Sequence, residues 1–259
     1  MAQKFNLTRD RSKANSKYKF SFIGNSQKAI APVLKKYKSG EFRIIGTCSY
    51  FIRPNLFITA AHIFEGDDIN DDDGFYIILD GTMEPLQITQ IHKYESADLA
   101  IFLLDSNVQE YLEDVNPVAV MNLLPEQSEI VALFGFSHSD VDPSNTEEIA
   151  NGDIYQKMHL RSKWELGGVL EVHTNGCRLV KGQCFESSIL AEGRDSGAPM
   201  FNSNGFLVGL LSTSLEFESG LPNSVCSSIL QLADISINGM PIKKLWNSTH
   251  RAAYCKIES

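Results

Sequence analysis

Gly193-Arg194-Asp195-Ser196-Gly197-Ala198-Pro199 is the stretch that decides the reading of this chain. Taken alone it is a turn, since Asp, Ser, Gly and Pro are all turn residues. Its meaning changes when the sequence is followed back toward the N-terminus. Ser96-Ala97-Asp98-Leu99-Ala100-Ile101 places a single acid at the start of an apolar strand. Ile58-Thr59-Ala60-Ala61-His62 is a β-rich run that ends in small residues and then a histidine. Each segment has an ordinary explanation, a turn or cap for Asp98 and a satisfied structural residue for His62. In the order His, Asp, Ser, they supply what acyl transfer needs.

A serine hydroxyl is a weak nucleophile at neutral pH and needs a base whose pKa lies near the working pH. Histidine is that base when a buried acceptor holds its far nitrogen in the right tautomer. Asp98 can be the acceptor, because it opens a hydrophobic strand and its carboxylate would sit at the edge of the core. Ser196 lies in a glycine-flanked bend, where successive backbone N–H groups can point at one spot and stabilise an oxyanion.

These residues resemble the motifs of the chymotrypsin-fold (trypsin-like) serine proteases. That family's TAAH, D-x-A and G-D-S-G-G-P motifs are matched by Thr59-Ala60-Ala61-His62, Asp98-Leu99-Ala100 and Arg194 to Pro199. The resemblance covers roughly residues 42–229. It implies an all-β fold of two six-stranded antiparallel barrels with the active site between them, and leaves the basic arm and the C-terminal tail, where a short helix is read from the residues themselves, unexplained. It assigns His62 as base, Asp98 as its orienter, Ser196 as nucleophile, and the N–H groups of Arg194 and Ser196 as the oxyanion hole. Leu207 to Ser212 resembles the strand after the nucleophile, so Ser212, Thr213 and Ser214 would line the substrate cleft and pair with an extended peptide. Leu190 falls at the pocket-base position. No acid stands there, which argues against a strict Lys/Arg preference and for a small or medium apolar P1 side chain.

The departures from the family are informative. Arg194 stands where the motif has glycine, and a Cβ there disfavours the backbone flip the hole requires. The hole is then expected to form only with substrate or an activator. Ile63 stands where secreted members carry a cysteine, which leaves Cys48 without that partner and resembles the disulfide-poor bacterial and viral branches. In the zymogen-type branch the residue matched by Asp195 pairs with a newly cut N-terminus. A cut after Lys17 or Lys19 would supply one, although the stretch Lys19 to Gly24 reads more simply as an ordinary first strand.

Composition sets the remaining bounds. The chain has 259 residues, 43% of them hydrophobic, enough for a buried core and too many for global disorder. The net charge of -9 speaks against a nucleic-acid partner. The charge is uneven, with ten Lys/Arg against the single acid Asp10 in the first 40 residues, the composition of a solubilising or docking arm. No run approaches the roughly 18 apolar residues of a membrane span, and the N-terminus lacks the apolar core of a signal peptide. Five cysteines without CxxC spacing point to reduced thiols in the cytoplasm and to no zinc site. The acidic run Asp67, Asp68, Asp71, Asp72, Asp73 lacks the glycine and glutamate of an EF-hand counted from Asp68, so neither metal nor cofactor is expected.

Short strands are predicted over 42–52, 56–59, 75–79, 86–91, 99–104, 129–134, 169–173, 188–191, 200–201 and 206–211. Helix is predicted over 27–37 and 241–254, the latter with Pro241 in its first turn. The resulting division is a basic arm (1–41), a first barrel with His62 and Asp98 (42–136), and a linker loop (137–151). A second barrel with Ser196 (152–233) and a partly helical tail (234–259) complete it. The leading function is a serine endopeptidase acting on protein or peptide substrates. Two alternatives remain: a catalytically silent peptide-binding module on the same fold, and a protease held latent until a partner or a cut releases it.

Overall fold

The computed structural model describes residues 5–11, 26–65, 74–80, 82, 84–105, 108–148, 154–216, 222–237 and 239–245. Among these, no helix is long and apolar enough to cross a membrane. The opening strand, β1 (Phe5–Arg11), joins the sheet of the C-terminal half. The next six strands are β2 (Ile30–Lys36), β3 (Phe42–Ile52), β4 (Leu56–Thr59), β5 (Gly74–Ile77), β6 (Leu86–Tyr94) and β7 (Leu99–Leu104). They close a barrel in the order β2-β3-β4-β7-β6-β5.

Strand β7 shows why the barrel forms. Its sequence Leu-Ala-Ile-Phe-Leu-Leu is an unbroken apolar run, and five of its six residues are buried, the pattern of a strand covered on both faces. Inside, the Phe57 ring stacks on Phe102 at 5.5 Å and tilts against Tyr50 at 5.2 Å. Phe57 is fully buried, so Phe57→Ala should cost about 3 to 5 kcal/mol, measured as a lower urea midpoint with an unchanged slope.

The second barrel is built from β8 (Ile130–Gly135), β10 (Ile154–His173), β11 (Cys184–Ser187), β12 (Pro199–Asn202), β13 (Leu207–Glu216) and β14 (Pro222–Ser228), with β9 (Asp140–Glu148) outside the ring. The ring runs β8-β10-β11-β14-β13-β12 and closes because β8 pairs with both β10 and β12. Strand β10 is long enough for two tasks. Its second half pairs with β8 and β11, while its first half carries β9 antiparallel and β1 parallel. Val131, Leu133, Phe185, Met200 and Leu211 fill this barrel. The first barrel's core continues without a break into Phe134, Phe201, Leu207 and Leu210 of the second, so apolar packing joins the halves.

Two antiparallel six-stranded barrels are what the resemblance implies. A short helical turn over 242–245 begins the helix predicted for 241–254, the rest of which lies outside the described residues, as do the acidic run at 67–73 and Cys255. Three boundaries need correction. The helix predicted over 27–37 is a 3-10 turn, Ser26–Ala29, followed by β2. Pro32 lacks a backbone N–H and holds Ala31 extended, and residues 30–35 are all buried. The first barrel therefore begins at Ile30, inside the segment assigned to the arm.

The linker placed at 137–151 contains β9, whose pairing with β10 is made by backbone groups that its polar composition does not reveal. The connection between the barrels is instead the stretch 105–129, with the single helical turn Gln109–Leu112. Strand β8, predicted within the first barrel, belongs to the second. No strand forms at 188–191.

Candidate active site

Strand β4 ends at Thr59 and is followed by Ala60 and Ala61, both buried, and then by the 3-10 turn His62–Phe64. The small residues let this turn approach the segment before β7, and the N–H of Ala61 donates to the carbonyl of Asp98 at 3.3 Å. Asp98 itself caps the 3-10 turn Glu95–Ala97 in the left-handed conformation, φ 49°, which aspartate tolerates better than most residues. That bend turns its carboxylate onto the histidine.

The backbone N–H of His62 donates to Asp98 Oδ1 at 3.0 Å, and its ring Nδ1 lies 2.9 Å from Oδ2. On the other side of the ring, Nε2 lies 2.9 Å from Ser196 Oγ. The Ser212 hydroxyl donates to Asp98 Oδ2. Burial pushes the Asp98 carboxyl up, but the hydrogen bonds and charge of His62 and the Ser212 hydroxyl outweigh it, and the net shift is below the usual carboxylate range. Ionised Asp98 accepts from Nδ1–H, which leaves the Nε2 lone pair facing the serine hydroxyl.

The segment around Ser196 is braced from both barrels. The N–H of Gly197 donates to Leu211 O at 2.8 Å, and the N–H of Thr47 on β3 donates to Ser196 O at 2.8 Å. The Thr47 hydroxyl reaches Arg194 O at 3.2 Å. Gly197 has φ +79°, and a Cβ there would lie 2.0 Å from Thr59 Oγ1 and 2.4 Å from Thr47 O. Gly197→Ala must therefore push the barrels apart, and we expect a loss of about 3 kcal/mol or more of folding stability, read from the urea midpoint.

Arg194 occupies the third position of the turn Glu192–Asp195, closed by Asp195 N–H donating to Glu192 O at 3.1 Å. Its φ is +77°, while Gly193 is not left-handed, which makes this a type II turn. An arginine at a position that suits glycine costs about 1 to 2 kcal/mol. Against the expectation that its Cβ would keep it out, Arg194 adopts the left-handed form. Thr47 holds its carbonyl, and its guanidinium donates to the carbonyl of Ser139. Among the described residues, neither the Arg194 N–H nor the Ser196 N–H has an acceptor within the chain.

Asp195 points away from the cleft and is 0% exposed. It accepts from the N–H of Ser137 at 3.2 Å and of Glu192 at 3.1 Å, and Lys163 Nζ lies 3.2 Å from its Oδ2. Sequence reasoning missed Lys163, Thr47 and Ser139. A lysine in the run Arg161-Ser162-Lys163-Trp164-Glu165 reads as a solvated position, and only the closing of the barrel turns it inward.

The substrate-lining residues fare differently. Ser212 spends its hydroxyl on Asp98 rather than on the cleft. Thr213 is half-buried and Ser214 exposed, on the part of β13 that pairs with β14 beyond the end of its pairing with β12 at Leu210. Leu190 is 50% exposed. Among the described residues, Glu171, His173 and Glu186 form one group close enough to share a metal ion; His173 and Glu186 already approach each other at 3.2 Å.

No protein-family model matches the chain, and no curated protein matches its sequence significantly. Solved structures do. The active form of the Rv3671c protease from M. tuberculosis superposes with a TM-score of 0.55 at 13% identity, over 80% of this chain and 79% of that one. Its inactive form gives 0.50 at 14% identity, over 79% and 85%. The MamO protease domain from Magnetospirillum magneticum gives 0.52 at 11% identity, over 82% and 98%. With both barrels closed and a His–Asp–Ser cluster at their junction, the chain has the two-barrel chymotrypsin fold of the trypsin-like serine proteases.

Proposed function

We propose that the chain is a serine endopeptidase that cleaves protein or peptide substrates through an acyl-enzyme on Ser196. The observation that carries this reading is the continuous line from Ser196 Oγ through His62 to Asp98, with 2.9 Å on each side of the imidazole. Ser196 Oγ attacks the substrate carbonyl carbon while its proton passes to His62 Nε2. Ionised Asp98 stabilises the imidazolium that results. The N–H groups of Arg194 and Ser196 receive the developing oxyanion, each worth about 2.7 to 4 kcal/mol. Collapse of the intermediate breaks the C–N bond, and the leaving amine takes the proton from His62. Water then repeats the sequence on the ester and releases the acid and free serine.

The backbone edge of β13 at Ser212 to Ser214 accepts an extended substrate as an added strand. Leu190, half-exposed beside the nucleophile segment, suits an apolar P1 side chain. The same reading places the protein in the cytoplasm, on the buried free thiols of Cys48, Cys184 and Cys226. Burial pushes all three up, Cys184 to about 12.

Fluorophosphonate labelling followed by peptide mapping tests the proposal. Rapid modification confined to Ser196, and absent from Ser196→Ala, is the expected result. A folded chain that takes no label would sink it and leave either the silent peptide-binding module or a protease held latent until a partner or a cut releases it.

A further inference from the structure

The turn that presents the Arg194 N–H is held from beneath by one buried carboxylate. Asp195 closes the turn with its own N–H on Glu192 O, and its Oδ2 accepts the N–H of Glu192 at 3.1 Å. Asp195 thus holds Glu192 twice, through its backbone N–H and through its carboxylate. Its other oxygen accepts from Ser137 N–H on the segment after β8. A fully buried carboxylate needs a cation as well as N–H donors, because an uncompensated buried charge is strongly destabilising.

The cation comes from strand β10. Lys163 is paired across the ladder with Gly135, and Gly135 is the residue that makes room, since a Cβ there would lie 2.2 Å from Asp195 Oδ1. The Lys163 side chain is 8% exposed, and its ammonium lies 3.2 Å from Asp195 Oδ2, 2.8 Å from Glu165 Oε1 and 3.6 Å from Glu192 Oε2. One amine therefore bridges the barrel wall, the buried aspartate and the first residue of the turn.

We infer that Lys163 is a positioning residue: its ammonium holds the buried Asp195 side chain in place, and thereby holds the Glu192–Asp195 turn in the form that offers the Arg194 N–H to an oxyanion. The inference rests on the protease reading of the same site for its catalytic consequence, but not for its structural one. An internal lysine does the work that a cleaved N-terminus would otherwise do, so the uncut chain needs no cut after Lys17 or Lys19 to assemble the hole.

The pH dependence has a definite sign. Asp195, Glu165 and Glu192 face the ammonium, and His138 lies 3.3 Å from Glu192. Burial pulls the Lys163 pKa down, but the bonds and charges of Glu165 and Asp195 outweigh it and leave it raised above the usual 10.5. Its contribution is therefore complete below the ordinary lysine pKa and is lost only as pH rises through the folded value. A turn held by a new α-amino group would instead begin to lose that contribution above about pH 8.

The test uses the intact chain and two readouts. In a Ser196→Ala background, hydrogen exchange of the segment 189–199 is compared among the parent, Lys163→Met, Lys163→Gln and Lys163→Arg. We expect exchange there to rise at least ten-fold in the methionine and glutamine variants, to be restored by arginine, and to stay unchanged in the core strands of the first barrel. Equal exchange in all four would overturn the inference, whether or not the enzyme hydrolyses anything. If Lys163→Met does not fold, the glutamine variant decides, because it keeps a polar N–H donor without the charge. With Ser196 intact, kcat should fall roughly 100-fold or more with KM little changed, as for loss of one oxyanion donor, and fluorophosphonate labelling should slow in parallel. A parent enzyme that does not label removes the protease reading and leaves the exchange experiment to decide the role of Lys163.

Discussion

Ser196→Ala should lower the kcat for a good peptide substrate by about a million-fold, with KM and the urea midpoint essentially unchanged. The magnitude follows from what the hydroxyl does. It is the group that His62 Nε2 faces at 2.9 Å, and removing it leaves only the unused N–H groups and the β13 edge to act on the substrate. The segment's fold does not depend on the side chain, because its braces to Thr47 and Leu211 are backbone bonds. Loss of activity without loss of structure is therefore the expected pair of results. A variant retaining more than about a hundredth of parental turnover would mean that the histidine activates a different nucleophile.

Asp98→Asn is expected to cost about ten-thousand-fold in kcat. The substitution keeps the size of the side chain, but one of the acceptors facing Nδ1, the His62 N–H and the Ser212 hydroxyl becomes an NH2 donor. The imidazole responds by placing its proton on Nε2, where it points at the serine and cannot act as base. Since His62 and Ser212 hold the Asp98 carboxyl below the usual range, it stays charged well below neutrality. Its stabilising contribution is present above the unfolded pKa of about 3.9 and is lost only as pH falls through the lower folded value. A pH–rate profile of the parent should therefore show no loss assignable to Asp98 above about pH 4. A fall in activity of less than ten-fold in the asparagine variant would remove Asp98 from the line.

The sequence made part of this readable and hid the rest for physical reasons. His62, Asp98 and Ser196 stand out because each lies in a local pattern, small residues before the histidine, an acid opening an apolar strand, and a glycine-flanked serine. The structure brings all three together. Strands β3, β4 and β7 were legible from their apolar runs, which is a local signal. The strand over Ile30–Lys36 was not, because two lysines and a proline beside a basic segment outweigh its apolar residues until the barrel closes around them. Strand β9 was hidden by a composition of Asp, Ser, Asn and Glu that usually marks loops. The bond from the Ser212 hydroxyl to Asp98 was not legible because its partner lies 114 positions away. Lys163 was invisible for the same reason, its partners being set by the ladder register of β8 and β10 and not by anything nearby in the chain.

The two hydrogen bonds that Thr47 makes to the nucleophile segment give the molecule a property that neither barrel has alone. Thr47 belongs to one barrel and receives both Ser196 and Arg194 from the other. A separation of the halves by even an ångström stretches both bonds, and the turn whose N–H meets the oxyanion shifts with them. On the proposed reading, rate at the serine is a gauge of the gap between the barrels, and an agent that wedges them apart anywhere along their apolar seam would silence hydrolysis without touching Ser196.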